Sequence, residues 1–534
     1  MAQLLDIFAF VSVLFRGMTL AFEALTIGGV IFLLAIARED AGDSASGLGP
    51  SRFVTTSAVL LAATQIIFVC ANSAVLMNTA GLTWTEVRGA GFCVAGGFII
   101  VGAACVGAFV HTRYRKLACP VACILILYGA VMTSHSAARL EHRGVLACLT
   151  FAHHLASAAW IGAMPYLLWT LRKTPNREAA RLITSRFSRM AMISVAVLAA
   201  AGGSMALLYV GRPSALAGTT YGLMLMSKVT LTALLVCLGG LNLRIVRAVR
   251  AGVAANLLPL RRFGEAEVGI GFTVILAAAS LTSIPPAVDV TVGRVTMSEI
   301  AARVNPKWPR MQTPALQDLS PPTPLTTSVI TAVPGSFVPG QLTHPSKPAD
   351  IAWSEYNHHW AGLVVLAAGL LSLLARRISW ARHWPLVFLG LAAFLFLRAD
   401  AENWPLGARG FWESFQVAEV AQHRLFVVLI AAFGVFESAV RSGRLTMRAG
   451  GLVFPLVCAV GGALLLTHSH SLGNLKEEFL AELSHTLLAL FAVVAGWSRW
   501  LELRLPAHRG RVLGRVWPVC FILIGAILLN YRES

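Results

Sequence analysis

Apolar runs of roughly 20 residues recur along this chain from end to end, each long enough to cross a ~30 Å hydrocarbon core as a helix. Of its 534 residues, 57% are hydrophobic and 13% charged, about half the charged fraction of soluble domains. The chain reads as an all-α, polytopic helical integral membrane protein. A net charge of +18 would suggest nucleic acid in a soluble protein. Here the basic residues sit in short loops between apolar runs, the usual signal of membrane topology, so nucleic-acid binding is set aside and the partner is the lipid bilayer.

The opening MAQLLDIFAF lacks a basic n-region and a small-residue cleavage site, so the first span is expected to be retained. The nine cysteines lie in or beside spans and outline no extracellular disulfide framework. Cys119 and Cys123 have helical i, i+4 spacing; a soft metal is one use of such a pair, and small core residues the commoner one.

Breaks between the apolar runs give about fourteen transmembrane helices. Eight precede residue 285 and six follow residue 355. The expected division is an eight-span membrane unit over 1–284, a Pro/Thr-rich extracytoplasmic linker over 285–355 and a six-span, histidine-rich unit over 356–534. Within the linker one short helix is expected near Met297–Val304. Alternate connections differ sharply in charge: one set holds 27 Lys and Arg, the other, with the C-terminus, 13. Positive loops stay in the cytoplasm, which puts both termini outside.

With sidedness assigned, eleven of the fourteen histidines fall in outer loops or outer halves of spans. His153 and His154 lie about eight residues into their span, roughly 12 Å at 1.5 Å per residue, and His423 and His485 at similar depth. Ionisable side chains inside spans usually face a bundle interior or wet cavity and are functional candidates; for any one of them, a hydrogen-bonded packing histidine is the plainer reading. His468 and His470, in the sequence THSHSLGN, share no helical face at i, i+2. They can meet at one ion only if the helix has ended near Thr467, as the turn-like residues after them suggest. His358 and His359 open the ninth span. Glu419 with His423, and Glu482 with His485, are one helical turn apart. Neutral imidazole suits copper, zinc, iron and nickel, whereas thioether selects Cu(I). Met77, Met132, Met205, Met224 and Met226 also fall in outer halves, with Met132 and His135 at i, i+3, so the mixture leans towards copper. The candidate metal set is His153, His154, His358, His359, His423, His468, His470 and His485.

Three stretches carry a resemblance: FAHHLASAAWIGAMPYLLW from Phe151, RFSRMAMISVAVLAAAGG from Arg186, and GTTYGLMLMSKVTLTALLVCLGGLNLR from Gly218. Together they resemble the bacterial copper-resistance protein D (CopD/PcoD) family, over roughly residues 140–285 and more loosely over the first four spans. Tyr221, Gly222 and Lys228 belong to one of its signature helices. That helix usually ends in Asn-Arg and here ends in NLR, beside Asn242. The resemblance implies an inner-membrane protein of copper uptake or resistance, working with a periplasmic CopC-like copper carrier. It matches His153 and His154 to the family's histidine-bearing helix. The six-span unit resembles an extension found on longer members.

The leading expectation is a non-enzymatic, copper-binding transport protein that captures copper at the periplasmic face. One alternative is a redox protein with b-type haem or copper acting on quinol, haem needing two axial ligands such as His423 and His485. Another is a metal- or pH-responsive assembly partner. Glu23, with Arg16 at i, i+7, and Lys228 are intramembrane charges that suit either an internal ion pair or a pathway lining. No Gly-rich phosphate loop is present, which argues against ATP-driven pumping by this chain alone.

Overall fold

The structure, a computed structural model, describes residues 2–37, 48–174, 176–252, 257–319, 347–416, 418–447, 449–467 and 476–533. Among these residues every regular element is a helix. Thirteen helices are long and apolar enough to cross a membrane, as backbone in lipid requires, since only internal hydrogen bonds are on offer there. The fourteenth expected span, near 449–468, is shorter: its helix runs over Gly450–Leu465. His468 and His470, and the Pro/Thr-rich stretch 320–346, lie outside the described residues.

The contacts divide the chain into two units. The N-terminal unit comprises Phe10–Leu216 and Met224–Asp289; the C-terminal unit comprises Met1–Ala9, Ala217–Leu223 and Val290–Ser534.

The N-terminal unit is built from most of α1 (Ala2–Ile31), α2 (Leu48–Ala80), α3 (Gly91–Phe109), α4 (Arg115–Met132), α5 (Arg143–Ser157), α6 (Arg177–Val210), most of α7 (Thr220–Arg250) and α8 (Leu258–Ser283). The span that begins as α5 runs on through a π-helical stretch, Ala158–Gly162, and a further α-helical stretch, Met164–Lys173. Asn176 caps α6 by accepting the Glu178 and Ala179 N–H groups, which satisfies two of the donors a helix N-terminus leaves open. Gly211, at φ +71°, ends that helix, a left-handed position that glycine takes without cost. Helix α2 packs on α3, α3 on α4, and α5 on α6. Gly102 and Gly129 let α3 and α4 come into backbone contact: a Cβ on either would overlap the facing helix.

The C-terminal unit contains α9 (Met297–Val304), α10 (Pro348–Leu374), α11 (Val387–Arg398), α12 (Ala418–Arg441), α13 (Val453–Leu465), α14 (Lys476–Arg504) and α15 (Ala507–Leu529). Helix α9 occupies the residues expected for it and opens on a reciprocal capping box between Thr296 and Glu299. Helix α15 packs against α10 and α14. Its neighbours enclose an aromatic core of Trp384, Phe388, Phe454, Trp517 and Phe521. Arg441 lies over this core, 4.8 Å from the Trp384 ring centre, with its charge met by Glu437 at 2.7 Å.

Candidate metal site

Four small residues set the geometry of the N-terminal unit's polar centre. Ala24 and Gly28 on α1 face Ala158 and Gly162 on the α5 span. A Cβ on Gly162 would overlap the Ala24 carbonyl oxygen, and one on Gly28 would overlap that of Ala158. Small residues four apart let two membrane helices approach to backbone contact. Glu23 and His154 flank this crossing and meet: Glu23 Oε1 lies 2.9 Å from His154 Nδ1. Glu23 is buried, at 3% exposure. A carboxylate can only accept, so Nδ1 carries a proton, and in the neutral imidazole Nε2 keeps its lone pair. That is the orientation a metal-binding histidine takes from a supporting carboxylate.

His153 points to the next helix face, where α6 passes. Gly202 faces it: a Cβ there would sit in ordinary contact, 3.4 Å from His153 Cε1. The buried His153 Nδ1 has no hydrogen-bond partner among the described residues. One turn earlier, Thr150 donates to the Met205 sulfur at 3.5 Å. Met205 stands one turn beyond Gly202 on α6, so a thioether borders the same stretch of α5. Lys228 on α7 is close enough to His153 to act on it electrostatically. Two imidazoles, one carboxylate and a thioether thus gather around residues 150–154.

In the C-terminal unit, His358 on α10 and His485 on α14 come together. Their ring centres are 6.2 Å apart, and Tyr531 stacks on His358 at 3.9 Å. His358 Nδ1 donates to the Ser354 carbonyl at 2.8 Å, which again leaves Nε2 as the lone-pair nitrogen. His359 is placed differently. It is fully buried; its Nδ1 accepts the Arg310 N–H at 2.7 Å, and its Nε2 lies 2.7 Å from Arg532 Nη1 and 3.0 Å from the Tyr531 carbonyl oxygen. Both nitrogens are engaged by protein groups, and neither is offered to an ion. His423 Nδ1 lies 2.8 Å from Asp400 Oδ1, a pairing of the same kind as His154 with Glu23.

Among the described residues, no three His, Cys, Asp or Glu side chains converge on one point. Cys119 and Cys123 are free and buried in α4, packed as core. The expected pairing of Met132 with His135 on one helical face does not form, because α4 ends at Met132 and His135 opens a separate turn, His135–Ala138. His135 instead bonds the Leu281 carbonyl through Nε2 at 3.1 Å.

The fold defines the class: a multi-pass helical membrane protein. Residues 181–281, which cover most of α6, all of α7 and most of α8, match the family model described as copper resistance protein D, CopD. The chain is also similar to the copper transport protein CutJ of Bacillus subtilis (strain 168), 25% identical over 196 residues. That alignment covers 35% of this chain and 35% of the relative, so about a third of the curated relative is matched. No solved structure matches the chain.

Proposed function

We propose that the chain carries copper across or to the membrane, with His153 and His154 as its principal metal-binding residues. The observation that carries this reading is the Glu23–His154 hydrogen bond, with His153 and Met205 beside it, in a unit whose helices include the CopD match. The name of the Bacillus relative, a copper transport protein, points the same way. Imidazole and thioether together favour copper, the thioether selecting Cu(I). A site with few ligands, bordered by the Lys228 ammonium, holds an incoming cation weakly and releases it readily, which suits a carrier better than a resident cofactor or an enzyme.

The excess of Lys and Arg in alternate loops supports a site towards the periplasm of a bacterial inner membrane, where a CopC-like carrier would deliver to it. His358 and His485 form a second station, with His423 apart from it beside Asp400. His468 and His470 join that proposal on sequence grounds.

The test is copper accumulation in a deletion strain complemented with wild-type chain or with His153→Ala/His154→Ala. It is paired with metal analysis and a visible spectrum of the detergent-purified protein. Copper accumulation restored by wild type but not by the double variant supports the reading. A Soret band with no copper dependence would replace it with haem redox chemistry.

A further inference from the structure

Every other fully described buried acid on the N-terminal unit's spans has a basic neighbour. Glu23 meets His154, and Glu265 meets Arg172 and Arg262 at 2.8 and 2.6 Å. Glu267 on α8 does not. It is buried at 3% exposure, and its hydrogen-bond partners are neutral: the Asn242 side-chain amide donates to Oε1, and the Trp160 indole N–H also donates to the carboxyl. The second Asn242 polar atom, Oδ1, is buried with no hydrogen-bond partner among the described residues.

Glu267 and Asn242 line a cavity of about 60 Å³ with Trp160, Met164, Thr184 and Ser188. One water needs about 10–15 Å³ of such space, so a few can enter. Among the described residues lining the cavity, none but Glu267 is ionisable. The α5 span contributes Trp160, Met164 and leucines; α6 contributes Thr184, Phe187 and Ser188; α7 contributes Gly239, Asn242, Leu243 and Val246. On α8 itself the nearest charges, Glu265 and Arg262, are engaged with each other and with Arg172.

A carboxylate buried in a span without a counter-charge is far costlier than the neutral acid. Two N–H donors soften the ionised form without abolishing that difference. We propose that Glu267 is a proton-binding site, loaded and unloaded through this cavity as copper moves through the unit. The step balances simply: the carboxylic acid gives one proton to water in the cavity, and the carboxylate left behind is held by the Asn242 and Trp160 N–H donors until a proton returns. The site lies six residues beyond His154 along the α5 span, about 9 Å at helical rise, and shares no ligand with the histidine pair. The coupling to copper rests on the function proposed above; the proton site does not.

Two experiments test it. Dicyclohexylcarbodiimide, an apolar reagent that attacks protonated carboxyl groups, is applied to purified wild-type protein across a pH series, and the modified residue is located by mass spectrometry. Modification at Glu267 that falls as pH rises, and drops to background in Glu267→Gln, is the expected result; an unmodified Glu267 at every pH overturns the proposal. In vesicles holding the full chain, copper flux is then followed under an imposed pH difference. The expected result is a wild-type response that vanishes in Glu267→Gln while copper affinity is kept; a variant that still responds as wild type does overturns the coupling. Wild-type vesicles that move no copper overturn the copper-carrying function instead, and the carbodiimide result, which needs no copper, still decides the proton site.

Discussion

His154 Nδ1 and Glu23 Oε1 lie 2.9 Å apart across the crossing of two helices whose facing residues are glycine and alanine. The carboxylate fixes the imidazole's tautomer and turns Nε2 outward. Supporting carboxylates of this kind are worth roughly ten- to hundredfold in metal affinity. Glu23→Gln is therefore expected to weaken Cu(I) binding by about that factor, and His154→Ala to weaken it further. Competition with a chromophoric Cu(I) chelator on purified protein measures both, and an unchanged affinity in Glu23→Gln would count against the site.

The crossing itself is the second point of attack. Gly162→Ala puts a methyl group into the Ala24 backbone, with no flexible side chain there to yield. Overpacking of this kind typically costs about 1–3 kcal/mol, so the thermal midpoint in detergent should fall and copper binding weaken with it. Gly203→Ala and Gly240→Ala meet open space and serve as controls, expected to match wild type in both readouts.

His359 separates a packing role from a metal role. With both ring nitrogens engaged, His359→Ala removes the acceptor of the Arg310 N–H, a loss of about 0.5–1.5 kcal/mol, and empties a buried site, while the Tyr531 carbonyl keeps its bond from Arg532. The expected outcome is lower thermal stability with an unchanged copper stoichiometry. Loss of a copper equivalent without loss of stability would return His359 to the list of ligands. His358→Ala/His485→Ala is the counterpart, expected to remove copper from the C-terminal unit.

His135, in the turn between α4 and α5, titrates below the ordinary histidine value because burial disfavours its charged form, an effect its bond to the Leu281 carbonyl only partly offsets. A depressed histidine pKa means that the unfolded chain binds the proton more tightly than the folded one. The stabilisation is thus complete above the ordinary histidine value of 6.5 and is lost as pH falls below it. Melting curves between pH 8 and pH 5 (about the range where histidine titrates) should show a decline that is shallower in His135→Gln. Parallel declines in the two proteins would remove His135 as the cause.

Much of this architecture is legible in the sequence because hydropathy is a local property. Runs such as those of α3 and α8 declare themselves whatever they pack against, and the capping box of Thr296 with Glu299 announces α9. The histidine pair is legible too, since an ionisable residue inside a span is conspicuous alone. Its partner is not. Glu23 stands out as a buried charge, but pairing it with His154 depends on how α1 crosses the α5 span, which no local pattern encodes. The small residues Ala24, Gly28, Ala158 and Gly162 are the signal, readable only when the two helices are laid together. The same holds for Asp400 beside His423 and Tyr531 beside His358, each supplied by a residue outside its partner's helix. Pairing Met132 with His135 assumed one continuous helix, and the break after Met132 undid it. Glu267 went unremarked because, in sequence, it is one of two glutamates near the start of α8; only the arginines beside Glu265 set the two apart.

The π-helical stretch Ala158–Gly162 lies between His154 and Met164 and contains Trp160, which reaches Glu267, and its hydrogen bond from Ala163 N–H to the Ala158 carbonyl, at 3.0 Å, spans five residues instead of four. One residue more than an α-helix would use is thus stored there, and each residue of an α-helix turns the chain by about 100°. The stretch acts as a phase shifter: it sets the angle between the imidazoles above it and the Met164 face below it. Deleting one residue from it would leave both halves helical and both sets of side chains intact, yet aim one of them at lipid.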